Sequence, residues 1–220
     1  MHTSERLQEI YRLLFDHFGP QDWWPGDSPF EIMVGAILTQ NTHWQNVEKA
    51  ITNLKSADLL SLAALSAVPV EDLAGYIRPA GYYNIKAARL RNLFSMLNEH
   101  WDGDLSCFLQ QPAAILSEHL LAVKGIGPET ADAIILYAAK QPVFVVDNYT
   151  HRILARHEVI PEECGYFEIQ EILTDNLEEN TQYFNEYHAL LVRVGKEFCK
   201  KTRPQCEECP LMACEGFDLC

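Results

Sequence analysis

The chain has 220 residues, 48% of them hydrophobic, seven cysteines and a formal net charge of −14. That size and apolar content exclude a disordered polymer and leave room for one full core or two small ones. No apolar run approaches the roughly 20 residues that cross a bilayer, and no apolar segment follows the charged start Met1-His2-Thr3-Ser4-Glu5-Arg6, so a cytoplasmic protein without a membrane partner is expected.

Helical periodicity runs through the chain, and no sustained alternating strand interrupts it. Leu7, Ile10, Leu14 and Phe18 mark a first amphipathic helix, closed by Gly19-Pro20. Phe30 to Leu38 is almost wholly apolar and reads as a buried helix ending at Thr39-Gln40-Asn41-Thr42. Further helices are predicted over 43–55, 84–100, 111–121, 128–140, 147–156, 165–179 and 182–199. The fold class is therefore all-α, and Pro/Gly punctuation around 19–29 and near 141 offers candidate domain boundaries. With the family resemblance given below, the expected architecture is two helical domains, a six-helix domain over 26–140 and a second that joins 1–25 to 141–220.

The charge is unevenly spread. Nine acids lie between 158 and 192 with no Lys or Arg among them, while Arg78, Lys86, Arg89 and Arg91 precede that stretch and Arg193, Lys196, Lys200, Lys201 and Arg203 follow it. An overall negative balance opposes nucleic-acid binding, but a basic front can coexist with an acidic back. Weak, strongly salt-sensitive binding is the expectation.

Val123-Lys124-Gly125-Ile126-Gly127-Pro128 suits a tight turn feeding a helix, because Pro is tolerated at the first helical position. Glycines there let the backbone come close to a phosphate, and the amides of Ile126, Gly127 and the next turn are candidate donors. The same pattern also fits a plain turn. Asp147 stands 18 residues after Glu129 and reads either as a placed carboxylate or as the N-cap of the helix beginning at Asn148.

Four of the seven cysteines crowd together as Cys199, Cys206, Cys209 and Cys214, in the pattern C-x6-C-x2-C-x4-C. In a reducing compartment such a cluster points to metal ligation rather than disulfides. Zinc sites commonly pair two C-x2-C knuckles, and only one is present. Cys220 is an alternative to Cys214 as the last ligand.

Residues 121–132, Leu-Ala-Val-Lys-Gly-Ile-Gly-Pro-Glu-Thr-Ala-Asp, followed by Val145-Val146-Asp147-Asn148-Tyr149-Thr150-His151-Arg152, resemble the helix-hairpin-helix and Gly/Pro-Asp signature of the endonuclease III superfamily of DNA glycosylases. Ile37 to Thr42 and Gly81-Tyr82-Tyr83-Asn84-Ile85-Lys86-Ala87 match it as well, and the clustered cysteines resemble its iron-sulfur loop. The resemblance spans about residues 23 to 214.

It implies a base-excision enzyme acting on double-stranded DNA that contains a damaged base. Asp147 would be the catalytic carboxylate and Gln40 the wedge that replaces the extruded nucleotide. Lys124, Gly125, Ile126 and Gly127 would hold the backbone, with the DNA across the junction of the domains. Cys199, Cys206, Cys209 and Cys214 would bind a 4Fe-4S cluster. Bifunctional members carry a Schiff-base lysine where this chain has Glu129, so a monofunctional, water-using glycosylase is implied; Lys124 leaves a secondary lyase route open.

Trp23-Trp24-Pro25, the Thr-Gln-Asn-Thr segment and Trp44 are similar to the branch called 3-methyladenine DNA glycosylase III, although the cluster cysteines depart from it. On that likeness Glu129, Trp24 and Trp44 border the base pocket, and the substrate is a cationic methylated purine. The bland readings are a polar helix end for Gln40 and core packing for the tryptophans. A monomer is expected. A glycosylase for a neutral base and a non-catalytic iron-sulfur DNA-binding protein are the competing functions.

Overall fold

The computed structural model describes residues 2–214. Twelve α-helices follow one another among them: α1 (Thr3–Phe18), α2 (Pro29–Thr39), α3 (Trp44–Ser56), α4 (Leu62–Ala67), α5 (Val70–Tyr76), α6 (Tyr83–Trp101), α7 (Leu105–Leu109), α8 (Ala113–Ala122), α9 (Pro128–Ala133), α10 (Asn148–Arg156), α11 (Tyr166–Asn176) and α12 (Thr181–Glu197). A π-helical turn, Ile134–Ala138, continues α9, and 3-10 turns lie at Arg78–Ala80, Cys206–Glu208 and Pro210–Ala213. No described helix is long and apolar enough to cross a membrane.

Three helices are absent from the periodicity reading: α4, α5 and α7. Each has five to seven residues, too few turns for a 3.6-residue stripe to repeat. Local chemistry makes them instead. The Ser61 hydroxyl accepts the Ala64 amide at 3.2 Å and Asp104 accepts the Cys107 amide at 2.9 Å, so both act as N-caps.

The described residues as far as Trp24 and those from Pro142 onward form one compact unit, and Pro25–Gln141 form another. In the second unit α2 is the buried member, with every residue from Phe30 to Leu38 inside. Its N-cap is Ser28, whose hydroxyl accepts the Glu31 amide at 3.2 Å. Glu31 is itself buried, and Lys55 reaches its carboxylate at 2.8 Å; a charge there is tolerable because it is paired. Phe30 meets Phe94 of α6 with ring centroids 5.8 Å apart.

In the first unit Leu7, Ile10 and Leu14 of α1 are fully buried, and Tyr187 of α12 donates its hydroxyl to the Leu7 carbonyl at 2.7 Å. Phe144, Phe184 and Tyr187 make edge-on contacts around that point. Gly195 of α12 lies against the Tyr149 ring, where any Cβ would overlap Cδ1. That close approach seats the start of α10 on α12.

Candidate active site and nucleic-acid interface

Within the second unit the hairpin links α8 to α9. The Gly125 φ of +102° is a backbone state that side-chain-bearing residues rarely adopt. A Cβ at this position would also meet the Arg89 stem, 2.5 Å from Cγ. Lys124, Gly125 and Gly127 are exposed; Ile126 is buried. The Ile126 amide donates to the Val123 carbonyl at 3.0 Å. This corrects one expectation: that N–H closes the turn and is spent, leaving Gly127 and the first turn of α9 as the outward amides. Pro128 does occupy the first helical position, and Gly127 is the N-cap.

Gln40, the C-cap of α2, is tied to this hairpin. Its side-chain amide donates to the Gly125 carbonyl at 3.2 Å and to Thr130 Oγ1 at 2.9 Å, and its oxygen accepts from the Arg89 guanidinium. The structure thus brings the predicted wedge and the predicted backbone clamp together. Arg89, the residue joining them, carries no sequence pattern that would have singled it out. Lys86 is the other feature missed as a site residue. Glu129 is exposed on the first turn of α9, and Trp44 opens α3 with its indole N–H donating to Glu48 at 2.7 Å.

Asp147 lies in the first unit, at the N-cap of α10. Its Oδ1 accepts the Thr150 amide at 2.7 Å and the Thr150 hydroxyl at 2.9 Å. Oδ2 is 3.7 Å from Nε2 of His188 on α12, a charge pair whenever that ring is protonated. The carboxyl is 11% exposed. Burial pushes its pKa up, but His188 and the Thr150 bonds outweigh that and hold it below the ordinary value. The capping role is therefore observed, and it coexists with an ionised, nearly buried carboxylate that keeps a little solvent access.

Two neighbours feel this anion. The Tyr149 pKa is raised by burial and by Asp147, with Arg152 opposing. Lys196 is lowered by desolvation, with Asp147 opposing. The Lys196 ammonium is 6.0 Å from the Trp23 ring, and Trp23 meets Trp24 edge-on at 5.4 Å. Trp23 and Trp24 are both half-buried. His188 stands 41 residues downstream of Asp147, and only the packing of α10 on α12 reveals it.

Around the cysteines, α12 ends and the chain turns twice. Cys199 and Cys214 are buried, Cys206 and Cys209 half-buried. Arg156 donates to Cys199 Sγ at 3.3 Å and to the Lys200 carbonyl at 2.7 Å, and Arg152 donates to the Cys199 carbonyl at 2.9 Å. Burial raises the Cys209 thiol, with Cys199 adding to the effect. The Cys214 thiol is raised to about 12, first by burial, then by Glu9, with Cys209 contributing.

Cys206 is disulfide-bonded, and among the described residues no three His, Cys, Asp or Glu side chains converge as a metal-holding group. The expected four-thiolate arrangement is thus not shown by the described residues. Cys199, Cys209 and Cys214 remain as free thiols that sense one another. Such a donor set fits a thiophilic metal once Cys206 is reduced. Cys220 lies outside the described residues.

The family model for HhH-GPD superfamily base excision DNA repair proteins matches residues 34–179. A protein of Methanocaldococcus jannaschii that bears the provisional name of DNA repair glycosylase is 44% identical over 94% of each chain. Endonuclease III of Thermotoga maritima is 30% identical, covering 92% of this chain and 89% of its own. Among solved structures, the 3-methyladenine DNA glycosylase of H. pylori, with 1,N6-ethenoadenine bound, superposes with a TM-score of 0.76 at 30% identity, over 89% of this chain and 98% of that one. An endonuclease III trapped on DNA shares the fold, with a TM-score of 0.82 at 23% identity over 97% and 96% of the two chains.

Proposed function

The chain belongs to the HhH-GPD superfamily of base excision DNA repair proteins, and from that premise we propose that it is a monofunctional DNA glycosylase for an alkylated purine. The observation that carries this reading is the Asp147 carboxylate, kept ionised in a nearly buried place at a helix start. Water adds its oxygen to C1′ of an extruded nucleotide, the carboxylate takes the water's proton, and the electron pair of the N-glycosidic bond leaves with the base. The charge that develops on the sugar is what a fixed anion stabilises. With Oδ1 engaged by Thr150, Oδ2 is the oxygen that meets water.

A purine methylated on a ring nitrogen is already cationic, so it departs as a neutral molecule and needs no general acid. Indoles attract such a cation through their faces by about 0.5–2 kcal/mol each, which is the role proposed for Trp24 and Trp44. Glu129 adds a negative charge and, having no amine, forms no Schiff base with the sugar. The H. pylori relative, a 3-methyladenine DNA glycosylase with 1,N6-ethenoadenine bound, supports the purine assignment.

Lys124, Gly125, Gly127 and the buried Ile126 are proposed to present the hairpin to a DNA phosphate, and Gln40 to enter the stack left by the extruded base. To do so, Gln40 exchanges its bonds to Gly125, Thr130 and Arg89 for contacts with DNA. Cys199, Cys206, Cys209 and Cys214 are proposed to hold a 4Fe-4S cluster when all four are reduced. The cluster would fasten the loop that carries Lys200, Lys201 and Arg203. Iron content and visible absorption of protein purified under reducing, anaerobic conditions test that assignment. The protein is proposed to act as a monomer.

Base release measured over a panel of damaged duplexes, with the wild type and Asp147→Asn, tests the function. Release of methylated purines by the wild type alone is expected. Release confined to uncharged lesions would transfer the activity to a neutral base, and DNA binding with no release from any duplex would leave a non-catalytic binding protein.

A further inference from the structure

Lys86 is the most deeply buried cation described, with 1% of its surface exposed. It belongs to α6, and its ammonium makes three hydrogen bonds. They go to the Leu38 carbonyl in the last turn of α2 at 2.8 Å, to the Ala80 carbonyl in the 3-10 turn at 2.8 Å, and to Thr42 Oγ1 at 3.0 Å. The Thr42 hydroxyl in turn donates to the Ala80 carbonyl.

A helix leaves its last carbonyls without intrahelical partners, and a cation there also faces the negative end of the dipole. One three-donor group thus satisfies the end of α2, the turn before Gly81 and the loop hydroxyl together. Between its two contacts in α2 and the loop lie Thr39, Gln40 and Asn41, the last with a φ of +53°. From the other side Gln40 is held by the hairpin.

We propose that Lys86 is a positioning residue: its buried side-chain nitrogen, through its bonds to Leu38, Ala80 and Thr42, fixes the Gln40-Asn41-Thr42 segment in register with the hairpin. The reading of Gln40 as the residue that enters DNA is the one given above, and this inference rests on it for its functional half only. The charged groups on the surrounding elements are few. Arg89 on the same helix is a like charge; Arg78 lies over the Tyr83 ring; Glu71 and Asp72 are exposed on α5; Glu31, at the far end of α2, is paired with Lys55. Among the described residues no carboxylate is bonded to Lys86, and its three acceptors are neutral oxygens. Desolvation first, then Arg89, lowers its pKa to about 8.

The sign of the resulting pH dependence follows from linkage. If the segment can lift only by releasing Lys86 to water, opening returns the amine to an ordinary lysine and takes up a proton between about pH 8 and the ordinary lysine value of about 10.4. Opening then becomes harder as pH rises, by up to about tenfold per pH unit between about 8 and 10.

Amide hydrogen exchange of residues 39–42 in the free protein reads this directly, once observed rates are divided by the intrinsic base-catalysed rate. Protection that climbs from pH 8 to 10 supports the inference. Protection flat across that range, with the rest of the molecule behaving normally, overturns it. Lys86→Met removes both the donors and the titration. It is expected to lower protection of 39–42 at least tenfold, to erase the pH slope, and to cut single-turnover base release about tenfold while affinity for undamaged duplex stays within about twofold. Unchanged protection in a folded Lys86→Met protein also overturns the inference. Should Lys86→Met fail to fold, Thr42→Val, which deletes one of the three acceptors, takes its place: lower protection of 39–42 is expected, and unchanged protection in that folded variant overturns the inference. If the wild type releases no base from any duplex, the glycosylase reading fails while the exchange result still stands or falls separately.

Discussion

At the start of α10 a carboxylate, Asp147, sits at the positive end of a helix dipole; at the end of α2 an ammonium, Lys86, sits at the negative end of another. Both placements are favoured by the dipole, and both groups are nearly or wholly buried. Yet the two pKa values tell opposite stories about charge. Asp147 is lowered, so folding favours its charged form; Lys86 is lowered too, so folding disfavours its charged form. The difference is in the partners. Asp147 has two donors and a chargeable imidazole, whereas Lys86 has three neutral oxygens and a like charge nearby. A helix end alone does not decide whether a buried charge survives; the neighbouring groups do.

The largest effect should come from removing the charge at the first of these ends while keeping its cap. Asn at position 147 can still accept the Thr150 amide, so Asp147→Asn is expected to unfold within about 1 kcal/mol of the wild type. Its rate of base release should fall about 100- to 1000-fold, the cost of losing one preorganised electrostatic contact. Single-turnover assays beside a urea melt check both halves. Equal activity in the two proteins would reduce Asp147 to a cap.

Next in size are two glycines that set the geometry of the two regions. Gly125→Ala forces a Cβ into the Arg89 stem at a positive φ and should cost about 1–3 kcal/mol. Gly195→Ala, at an ordinary φ but against the Tyr149 ring, should cost a similar amount by displacing the start of α10 from α12. The comparison sharpens when each is paired with truncation of its neighbour. Arg89→Ala should relieve only part of the Gly125→Ala defect, because the backbone strain stays. Tyr149→Ala should relieve most of the Gly195→Ala defect, because the fault there is steric. Denaturant midpoints of the single and double variants measure the difference.

Much of this was legible in the sequence for physical reasons that can be named. Long amphipathic stretches such as α1 and α12 announce themselves because many turns repeat one stripe. Asp147 was legible as a cap because a short acidic side chain before a helix has few other uses. What escaped was whatever depends on residues distant in sequence. His188 faces Asp147 only through the contact of two helices, and Arg89, which joins Gln40 to the hairpin, stands 49 positions after the one and 36 before Gly125 of the other. Lys86 belongs to a recognisable motif, but nothing in Asn84-Ile85-Lys86-Ala87 says that its side-chain nitrogen is inside. The Ile126 amide, counted as a phosphate donor, closes a turn because hairpins recycle their own N–H groups. The cysteine spacing suggested a metal, but which thiols sense one another, Cys199 with Cys209 and Cys209 with Cys214, shows only once the loop is folded.

A smaller effect concerns acid stability. His157 is lowered to about 4 by burial, with Arg6 and Arg156 adding repulsion. A base whose folded pKa lies below its unfolded one is kept neutral by folding, so stability is full above about 6.5 and is lost as pH falls toward about 4. The loss should reach about 2 kcal/mol, short of the full linkage value because the ring is only half-buried. Asp147 acts with the same sign at lower pH: its contribution is present above its unfolded value and disappears as pH falls through the lowered folded one. Urea melts of the wild type and His157→Asn between pH 4 and 7 should separate the two, since the variant loses the upper part of the slope only.

The smallest change tests the partner argument most closely. Thr150 is fully buried and gives Asp147 Oδ1 two bonds, from its amide and from its hydroxyl. Thr150→Val keeps the shape and the amide but deletes the hydroxyl, so one of the donors that outweigh desolvation disappears while helix α10 keeps its cap. Folding stability should drop by about 1 kcal/mol at neutral pH. The Asp147 pKa should rise, moving the acid limb of base release upward by at most about one pH unit. At pH 7 the carboxylate stays ionised in either protein, and the rate there should change less than about threefold. A shifted acid limb with a preserved neutral rate assigns the hydroxyl to holding the charge. An unshifted limb assigns the holding to His188, and His188→Asn should then move the limb further than Thr150→Val does.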